Sequence, residues 1–150
     1  MMKIVPMNAS HIPALTELES VCFSTPWTAE GFAEELDNPL AHFAVAEDDG
    51  QVLGYIGVQE ICGEGYVADF AVFPAYRGRG IGTALLRHAL DGAKARGCAF
   101  LSLEVRTGND GAIRLYEALG FEQVGLRRQF YKDPAEDARI YTKYFEETDV

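Results

Sequence analysis

The chain has few cysteines, no long apolar run and little positive charge, and each absence excludes a class of protein. Its three cysteines, Cys22, Cys62 and Cys98, are widely spaced and form no CxxC pair. We therefore expect reduced thiols, with no disulfide framework and no zinc site, and the scattered histidines suggest no other metal. No apolar stretch approaches the ~20 residues that cross a bilayer, and the opening MMKIVPMNAS lacks the basic-then-apolar pattern of a signal peptide. We expect a cytoplasmic protein without a membrane partner.

The charge balance is acidic. Lys and Arg number 13 against 23 Asp and Glu, which gives a formal net charge of −10. Such a surface repels phosphate backbones, so we expect no direct binding of nucleic acid. It would attract a cationic partner such as a basic peptide, although many proteins are acidic for solubility alone. Composition leaves both interpretations open.

The length and the apolar periodicity predict one folded domain over residues 1–150. Hydrophobic residues make up 48% of the 150 residues, and the chain contains no internal repeat, as expected for a single core. Apolar spacing predicts the order β-α-α-β-β-β-α-β-α-β-β. Ser10, Thr28 and Asn109 are predicted to cap helices, and Gly120 is predicted to end one. The order indicates an α/β (or α+β) fold, a mixed sheet with helices on its faces.

A glycine-rich loop, YRGRGIG at 76–82, leads into a run of helix formers. Its glycines and arginines are Gly78, Gly80, Gly82, Arg77 and Arg79. Glycines let a backbone approach a ligand closely, and the N–H groups at a helix start attract phosphate. The arginines can add charge-assisted contacts. A tight turn before an ordinary core helix would show the same pattern.

Neither common nucleotide-binding loop fits these residues. A Walker A loop requires a lysine after its last glycine, but the chain has no lysine between Lys3 and Lys94. The dinucleotide fingerprint GxGxxG fails at its third glycine, which is Thr83 here, and the acidic residue required about 20 positions further on is missing. A different phosphate ligand is indicated.

The spacing Arg77-x-x-Gly80-x-Gly82 resembles the pyrophosphate-binding loop of the GCN5-related N-acetyltransferase (GNAT) superfamily, whose members hold acetyl-coenzyme A. The resemblance continues through LEVRTGNDGAIRLYEALGF at 103–121 and covers nearly the whole chain. More narrowly, the chain is similar to the bacterial ribosomal-protein-alanine N-acetyltransferases. It shares their Pro-Trp pair and their tail, which runs here from RRQFY at 127–131 to EDA at 136–138. This resemblance implies a mostly antiparallel sheet flanked by helices.

The resemblance also implies a site for acetyl-coenzyme A as co-substrate, with no metal. The implied cofactor-binding residues are Phe70, Ala71, Val72, Arg77, Gly78, Arg79, Gly80, Ile81, Gly82, Thr83 and Asn109. The segment 70–72 would lie on a splayed strand, line the pantetheine and polarise the acetyl carbonyl with exposed backbone groups. Asn109 would contact the pantetheine and could also cap the helix that follows it.

Two residues are implied to be catalytic. Glu104 lies midway along a predicted central strand, where a carboxylate is costly unless it is paired or used. By itself it fits a salt bridge to an arginine, or simple exposure; the resemblance implies a proton acceptor. Tyr116 by itself fits a core aromatic; the resemblance implies the acid that protonates the departing thiolate. No cysteine is placed as an acyl carrier, so we expect direct transfer in a ternary complex.

The implied acceptor is the N-terminal α-amine of a protein, in particular the N-terminal alanine of a small-subunit ribosomal protein. An α-amine, with a pKa of ~7.7–8.0 against ~10.4 for lysine, needs only a modest base. Trp27, Tyr131 and Asp137 are candidates for a groove that holds a basic N-terminal peptide. Trp27 fits core packing equally well, and Glu136-Asp137 fits a solvated loop. The alternatives are acetylation of a small-molecule amine or a protein lysine, and a non-catalytic acyl-coenzyme A-binding module.

Overall fold

The computed structural model describes residues 1–146, and its helices and strands follow the predicted order. The strands are β1 (Lys3–Pro6), β2 (Ala41–Asp48), β3 (Gln51–Ile61), β4 (Glu64–Val72), β5 (Phe100–Arg106), β6 (Glu122–Tyr131) and β7 (Glu136–Tyr144). The α-helices are α1 (Ile12–Cys22), α2 (Ala29–Leu36), α3 (Ile81–Ala95) and α4 (Asp110–Ala118). The predicted domain, 1–150, includes residues 147–150, which lie outside the described part.

These strands form one sheet in the order β1-β2-β3-β4-β5-β7-β6. Every neighbouring pair is antiparallel except β4 and β5. Those two run in parallel and pair at Gly65 with Leu101 and at Tyr66 with Ser102. Beyond Tyr66, β4 continues to Val72 without a further partner on β5. The mostly antiparallel sheet confirms the predicted fold class, and the splay implied by the resemblance is present.

Two apolar clusters cover the two faces of the sheet. On one face, α3 and α4 pack over a cluster that includes Ile56 of β3. On the other, α1 and α2 pack over a cluster that includes Tyr55 of the same strand. Neighbouring residues of a strand point to opposite faces, which puts Tyr55 and Ile56 in different clusters. The apolar residues that recur at helical spacing along α3 are all buried: Ile81, Leu85, Leu86, Ala89, Leu90 and Ala93.

The helix caps follow the sequence with one exception. The Thr28 hydroxyl accepts the Gly31 N–H at 3.1 Å, and Asn109 Oδ1 accepts the Ala112 N–H at 3.2 Å, as predicted. The prediction for Ser10 was wrong. Ser10 already lies inside a 3-10 turn, and the extended Asn8 before it accepts the Ser10 N–H at 2.9 Å. A capping residue has to precede the first turn, so Asn8 takes this role.

Candidate functional site

A cleft of about 680 Å³ lies between the splayed part of β4, the start of α3 and α4, and we call it the cofactor cleft. The predicted residues that line it are Phe70, Ala71, Val72, Arg77, Gly78, Gly80, Ile81, Gly82, Thr83, Asn109 and Tyr116. Arg79 does not line it; its guanidinium lies over the Tyr76 ring, 5.5 Å from the ring centre.

The glycine loop leaves the start of α3 open to an anion. Gly78 and Gly80 have φ angles of +81° and +80°, a left-handed conformation that favours glycine. Gly80 is the N-cap of α3, and no side chain caps this helix. The first backbone N–H groups of α3 are therefore available beside the cleft, where the helix dipole adds partial positive charge. This arrangement fits the pyrophosphate of acetyl-coenzyme A.

Arg77 forms part of the cofactor-cleft wall. Its Nε donates to the Val72 carbonyl at 3.1 Å, and its Nη2 donates to Cys22 Sγ at 3.4 Å. Cys22 and Phe23 come from the end of α1 and also line the cofactor cleft. The sequence analysis missed both residues, because no motif relates the end of α1 to a loop more than fifty residues away.

A second cleft, of about 400 Å³, is lined by β4 and β5 residues together with residues from the α1–α2 loop and the end of β6; we call it the acceptor cleft. Two of the candidates for the acceptor groove, Trp27 and Tyr131, line it, and so does Glu104, the candidate proton acceptor. The sequence analysis missed several of its other lining residues: Glu19, Ser24, Thr25, Asp69, Arg106 and Phe130. The two clefts share Phe23, Phe70, Asn109 and Tyr116, so they meet at these side chains.

Glu104 forms an ion pair with an arginine of β6. Its Oε1 lies 3.2 Å from Arg127 Nε, and the side chains of Glu104 and Arg127 are 32% and 56% exposed. The salt bridge that the sequence left open as an alternative is therefore present. An ion pair this exposed contributes about 0–1 kcal/mol, so it does not prevent Glu104 from meeting a substrate.

Tyr116 belongs to the core and to both clefts. The residue is 7% exposed, and its ring packs against Phe70, Phe121 and Tyr141 with centroid distances of 6.4, 5.8 and 6.3 Å. Within residues 1–146 its hydroxyl has no hydrogen-bond partner, although it lines the place where the clefts meet. Burial, followed by the charges of Tyr131 and Asp69, raises the pKa of Tyr116. It therefore stays a protonated phenol.

Tyr131 forms a wall of the acceptor cleft and is held by β5. The guanidinium of Arg106 lies over the Tyr131 ring, 4.4 Å from its centre. Arg106 also forms an ion pair with Glu136 at 3.2 Å, and Glu136 Oε2 accepts the Gly108 N–H at 2.6 Å. Burial, followed by the charge of Glu104, raises the pKa of Tyr131 to about 12.

The structure places Asp137 outside both clefts. Its Oδ1 accepts the Gln129 N–H at 2.8 Å, a contact within the β6–β7 hairpin. Trp27 combines the two interpretations that the sequence allowed. Its ring packs against Phe32 and Phe43 at 5.4 and 5.6 Å, and it also lines the acceptor cleft.

Among the described residues, no group of three or more His, Cys, Asp or Glu side chains is arranged to hold a metal ion. In the same part of the chain, no helix is long and apolar enough to cross a membrane.

Comparison with known proteins adds a family and several relatives. The model of the acetyltransferase (GNAT) family matches residues 12–121. The N-alpha-acetyltransferase RimI of Mycobacterium tuberculosis is 41% identical over 128 residues, which are 81% of this chain and 79% of that protein. The crystal structure of the ribosomal-protein-S18-alanine N-acetyltransferase from Escherichia coli has a TM-score of 0.90 and 32% identity, and the match covers 99% of this chain and 97% of that one.

A more distant structure has the same fold. The crystal structure of Arabidopsis thaliana NAA60 in complex with acetyl-CoA has a TM-score of 0.87 at 20% identity, and the match covers 96% of this chain and 98% of that one.

Proposed function

We propose that this chain, which belongs to the GNAT family of acetyltransferases, transfers the acetyl group of acetyl-coenzyme A to the N-terminal α-amine of a protein. The chain is an N-acetyltransferase, and acetyl-coenzyme A is its co-substrate. What we propose beyond this is the kind of amine that is acetylated, the class of protein that carries it and the residues that transfer protons. It is supported chiefly by one observation: the cofactor cleft and the acceptor cleft meet at Tyr116.

Two clefts that meet favour direct transfer. An amine in the acceptor cleft can reach a thioester in the cofactor cleft without a covalent enzyme intermediate, and the gain comes from holding both reactants in one geometry. The splayed part of β4 pairs with β3 on one edge, at Phe70 with Ile56, Ala71 with Tyr55 and Val72 with Gly54. Its other edge has no partner on β5. The Phe70 N–H of this segment is bonded to Asp69 Oδ1, and the Val72 carbonyl accepts from Arg77 Nε. A remaining backbone N–H on that edge can bind the acetyl carbonyl and stabilise the oxyanion.

In this proposal Glu104 takes the proton that the acceptor ammonium must lose. Its Oε1 lies 3.2 Å from Arg127 Nε, and a carboxylate oxygen in the acceptor cleft can accept that proton. A carboxylate base can deprotonate an α-ammonium more easily than a lysine ammonium, because the α-ammonium has a pKa of ~7.7–8.0 and the lysine ammonium has a pKa of ~10.4.

Tyr116 gives a proton to the departing thiolate. The new C–N bond forms as the C–S bond breaks, and the phenol hydroxyl neutralises the sulfur. A group of the chain that was hydrogen-bonded to this hydroxyl would compete with the thiolate. Residues 1–146 provide no such group. The buried ring also holds the hydroxyl in place through its aromatic contacts.

The acceptor that fits the acceptor cleft is a basic N-terminal peptide. The protein carries a net charge of −10, and Asp69 and Glu104 both line this cleft. A relative is named as a ribosomal-protein-S18-alanine N-acetyltransferase. We extend this substrate class, the N-terminal alanine of a small-subunit ribosomal protein, to the present chain.

The test is thiol release from acetyl-coenzyme A with two basic peptides. One peptide has a free N-terminal alanine and no lysine; the other has a blocked N-terminus and internal lysines. We expect turnover with the first alone, and fragment-ion mass spectrometry should place the acetyl group on the α-nitrogen. Turnover with the second alone would indicate a lysine acetyltransferase. Turnover with neither, while small amines are acetylated, would move the substrate to the small-molecule class.

A further inference from the structure

A buried carboxyl pair at the acceptor cleft takes no part in the mechanism above. Glu19 of α1 is fully buried, and Asp69 of β4 is half-buried; both line the cleft. The hydroxyl of buried Tyr55 lies between them, 2.8 Å from Glu19 Oε2 and 2.6 Å from Asp69 Oδ2. We call these residues the carboxyl–tyrosine chain.

The carboxyl–tyrosine chain requires one extra proton. Burial and the two carboxyls raise the pKa of Tyr55, so its hydroxyl keeps its proton. One hydroxyl proton can donate to only one carboxylate, so the second short contact requires a protonated carboxyl group. Burial, followed by the hydrogen bond and charge of Asp69, raises the pKa of Glu19 to about 8. The raised pKa favours a proton on Glu19, which can then donate to Tyr55 while Tyr55 donates to Asp69.

Asp69 is held by two hydrogen bonds and, among the described residues, has no cation beside it. Its Oδ1 accepts the Phe70 N–H at 2.9 Å, and its Oδ2 accepts from Tyr55. Within residues 1–146 no Lys, Arg or His side chain lies within 4.0 Å of its carboxylate oxygens. Glu104 and Glu136, in contrast, are each paired with an arginine. A half-buried carboxylate without a cation has acceptor sites left for a ligand.

Asp69 also lies close to where the reaction takes place. It directly precedes the segment 70–72, which lines the cofactor cleft and has no partner on β5. Its charge contributes to the raised pKa values of Tyr116 on α4 and Tyr131 at the end of β6, two residues that line the cleft from different elements. Tyr116, a residue only 7% exposed, lines the same cleft, and within residues 1–146 its hydroxyl has no hydrogen-bond partner.

We infer that Asp69 binds the ammonium group of the acceptor beside the acetyl carbonyl, with Tyr55 and Glu19 as positioning residues. The inference rests on the proposed function, in which the acceptor enters this cleft. Asp69 recognises and orients the amine, and Glu104 remains the group that takes its proton. Glu19 also accepts the Trp27 N–H at 2.8 Å, so the carboxyl–tyrosine chain attaches the α1–α2 loop to the floor of the cleft.

The test measures amine-dependent affinity without turnover. The protein is saturated with coenzyme A, and calorimetry gives its affinity for a basic peptide with a free N-terminal alanine and for the same peptide N-acetylated. We expect the wild type to prefer the free amine by about tenfold or more, the range for a hydrogen bond to a charged group. Asp69→Asn should lose most of this preference and bind acetyl-coenzyme A with unchanged affinity.

Three control variants distinguish the role of the Asp69 charge from a general loss of charge and from a loss of structure. Asp91→Asn removes the same charge from an exposed position of α3 and should keep the preference. Tyr55→Phe should lower it, because Asp69 loses a hydrogen bond, and this variant gives a second measurement if Asp69→Asn unfolds. Glu19→Gln should retain it, since an amide provides the acceptor for Trp27 and the donor for Tyr55 that a protonated acid provides.

Two results would overturn the inference: equal affinity of the wild type for the two peptides, or a wild-type preference in both Asp69→Asn and Tyr55→Phe. Failure of the proposed function has a different signature, because it appears in the thiol-release assay, whereas the peptide preference requires no acetyl transfer.

Discussion

At the scale of single residues, several side chains combine packing with chemistry. Tyr116 has a buried ring and a hydroxyl that opens on both clefts. Trp27 packs on the aromatic core and forms part of the acceptor cleft. In each case the sequence allowed a structural and a functional interpretation, and the structure is compatible with both. A substitution that removes only the polar part or only the packing part of such a side chain can separate its structural role from its functional role.

Tyr116→Phe removes the hydroxyl and keeps the ring. We expect kcat to fall by about a hundredfold or more, the range for loss of a general acid, with little change in Tm or in the affinity for acetyl-coenzyme A. Thiol-release assays measure kcat, and calorimetry measures Tm and the affinity for acetyl-coenzyme A. A variant with wild-type kcat would show that another group protonates the thiolate.

Glu104 and Arg127 form a pair whose members should behave differently. Glu104→Gln should lower kcat by about a hundredfold or more, because it removes the proposed proton acceptor. Arg127→Gln is the matched control, since it breaks the same ion pair but leaves the carboxylate. We expect it to keep kcat within a few-fold of wild type. Equal losses in the two variants would mean that the ion pair, and not the carboxylate alone, is required.

Glu19 should make the stability of the fold depend on pH. Its pKa is raised from 4.5 to about 8 by burial and by Asp69, so between these values the folded chain holds a proton that the unfolded chain has released. The stabilisation is complete below pH 4.5 and is lost as pH rises towards 8, by at most about 1.4 kcal/mol per pH unit.

Glu19→Gln has no proton to lose at this position, so its Tm advantage over the wild type should grow from pH 5 to pH 8. The groups facing Glu19 are the Trp27 N–H, the Tyr55 hydroxyl and Asp69, and all are unchanged in the variant. Parallel Tm curves for the two proteins would exclude a protonated Glu19.

At the scale of secondary-structure elements, the attachment of one hairpin shapes the acceptor cleft. Glu136, at the start of β7, accepts the Gly108 N–H of the β5–α4 loop and pairs with Arg106 of β5. Arg106 in turn lies over the Tyr131 ring at the end of β6. These contacts join β5, α4 and the β6–β7 hairpin around the acceptor cleft. Glu136 thus supports the cleft from outside it.

Glu136→Gln should therefore weaken acceptor binding more than cofactor binding. We expect the KM for the peptide to rise several-fold and the KM for acetyl-coenzyme A to stay within twofold, because Tyr131 lines only the acceptor cleft. Glu122→Gln, an exposed carboxylate at the start of β6, is the control with the same change of charge. Equal changes in both KM values would indicate a general loss of structure instead.

At the scale of the whole molecule, the net charge of the protein is negative, whereas the local charge at the cofactor cleft is positive. The chain has a net charge of −10, while the cofactor cleft carries the uncapped start of α3 and Arg77. The acidic surface suits a basic acceptor, and the positive loop suits the phosphates of the co-substrate. One protein can in this way bind two partners of opposite charge in neighbouring clefts.

Added salt should therefore weaken binding of a basic peptide. The Debye length falls from about 10 Å at 0.1 M to about 3 Å at 1 M, so the KM of the basic peptide should rise steadily with sodium chloride. An uncharged peptide with the same N-terminal alanine is the control and should show a much smaller change. Identical salt curves for both peptides would mean that the net charge of the protein does not contribute to acceptor binding.

The sequence by itself determined the order and type of the elements, most helix caps and the buried face of α3. These depend on local periodicity and on hydrogen bonds between residues a few positions apart. The glycine loop also followed from local pattern, because left-handed backbone and an uncapped helix start are properties of consecutive residues.

Only the tertiary structure decided which distant side chains meet. Glu19, Tyr55 and Asp69 come from α1, β3 and β4, and their contact depends on how α1 packs on the sheet. Arg127 meets Glu104 although no local pattern relates β6 to β5. Asp137, which the tail motif put in the groove, instead holds its own hairpin together. Strand register and helix packing set such contacts, and neither can be read from spacing along the chain.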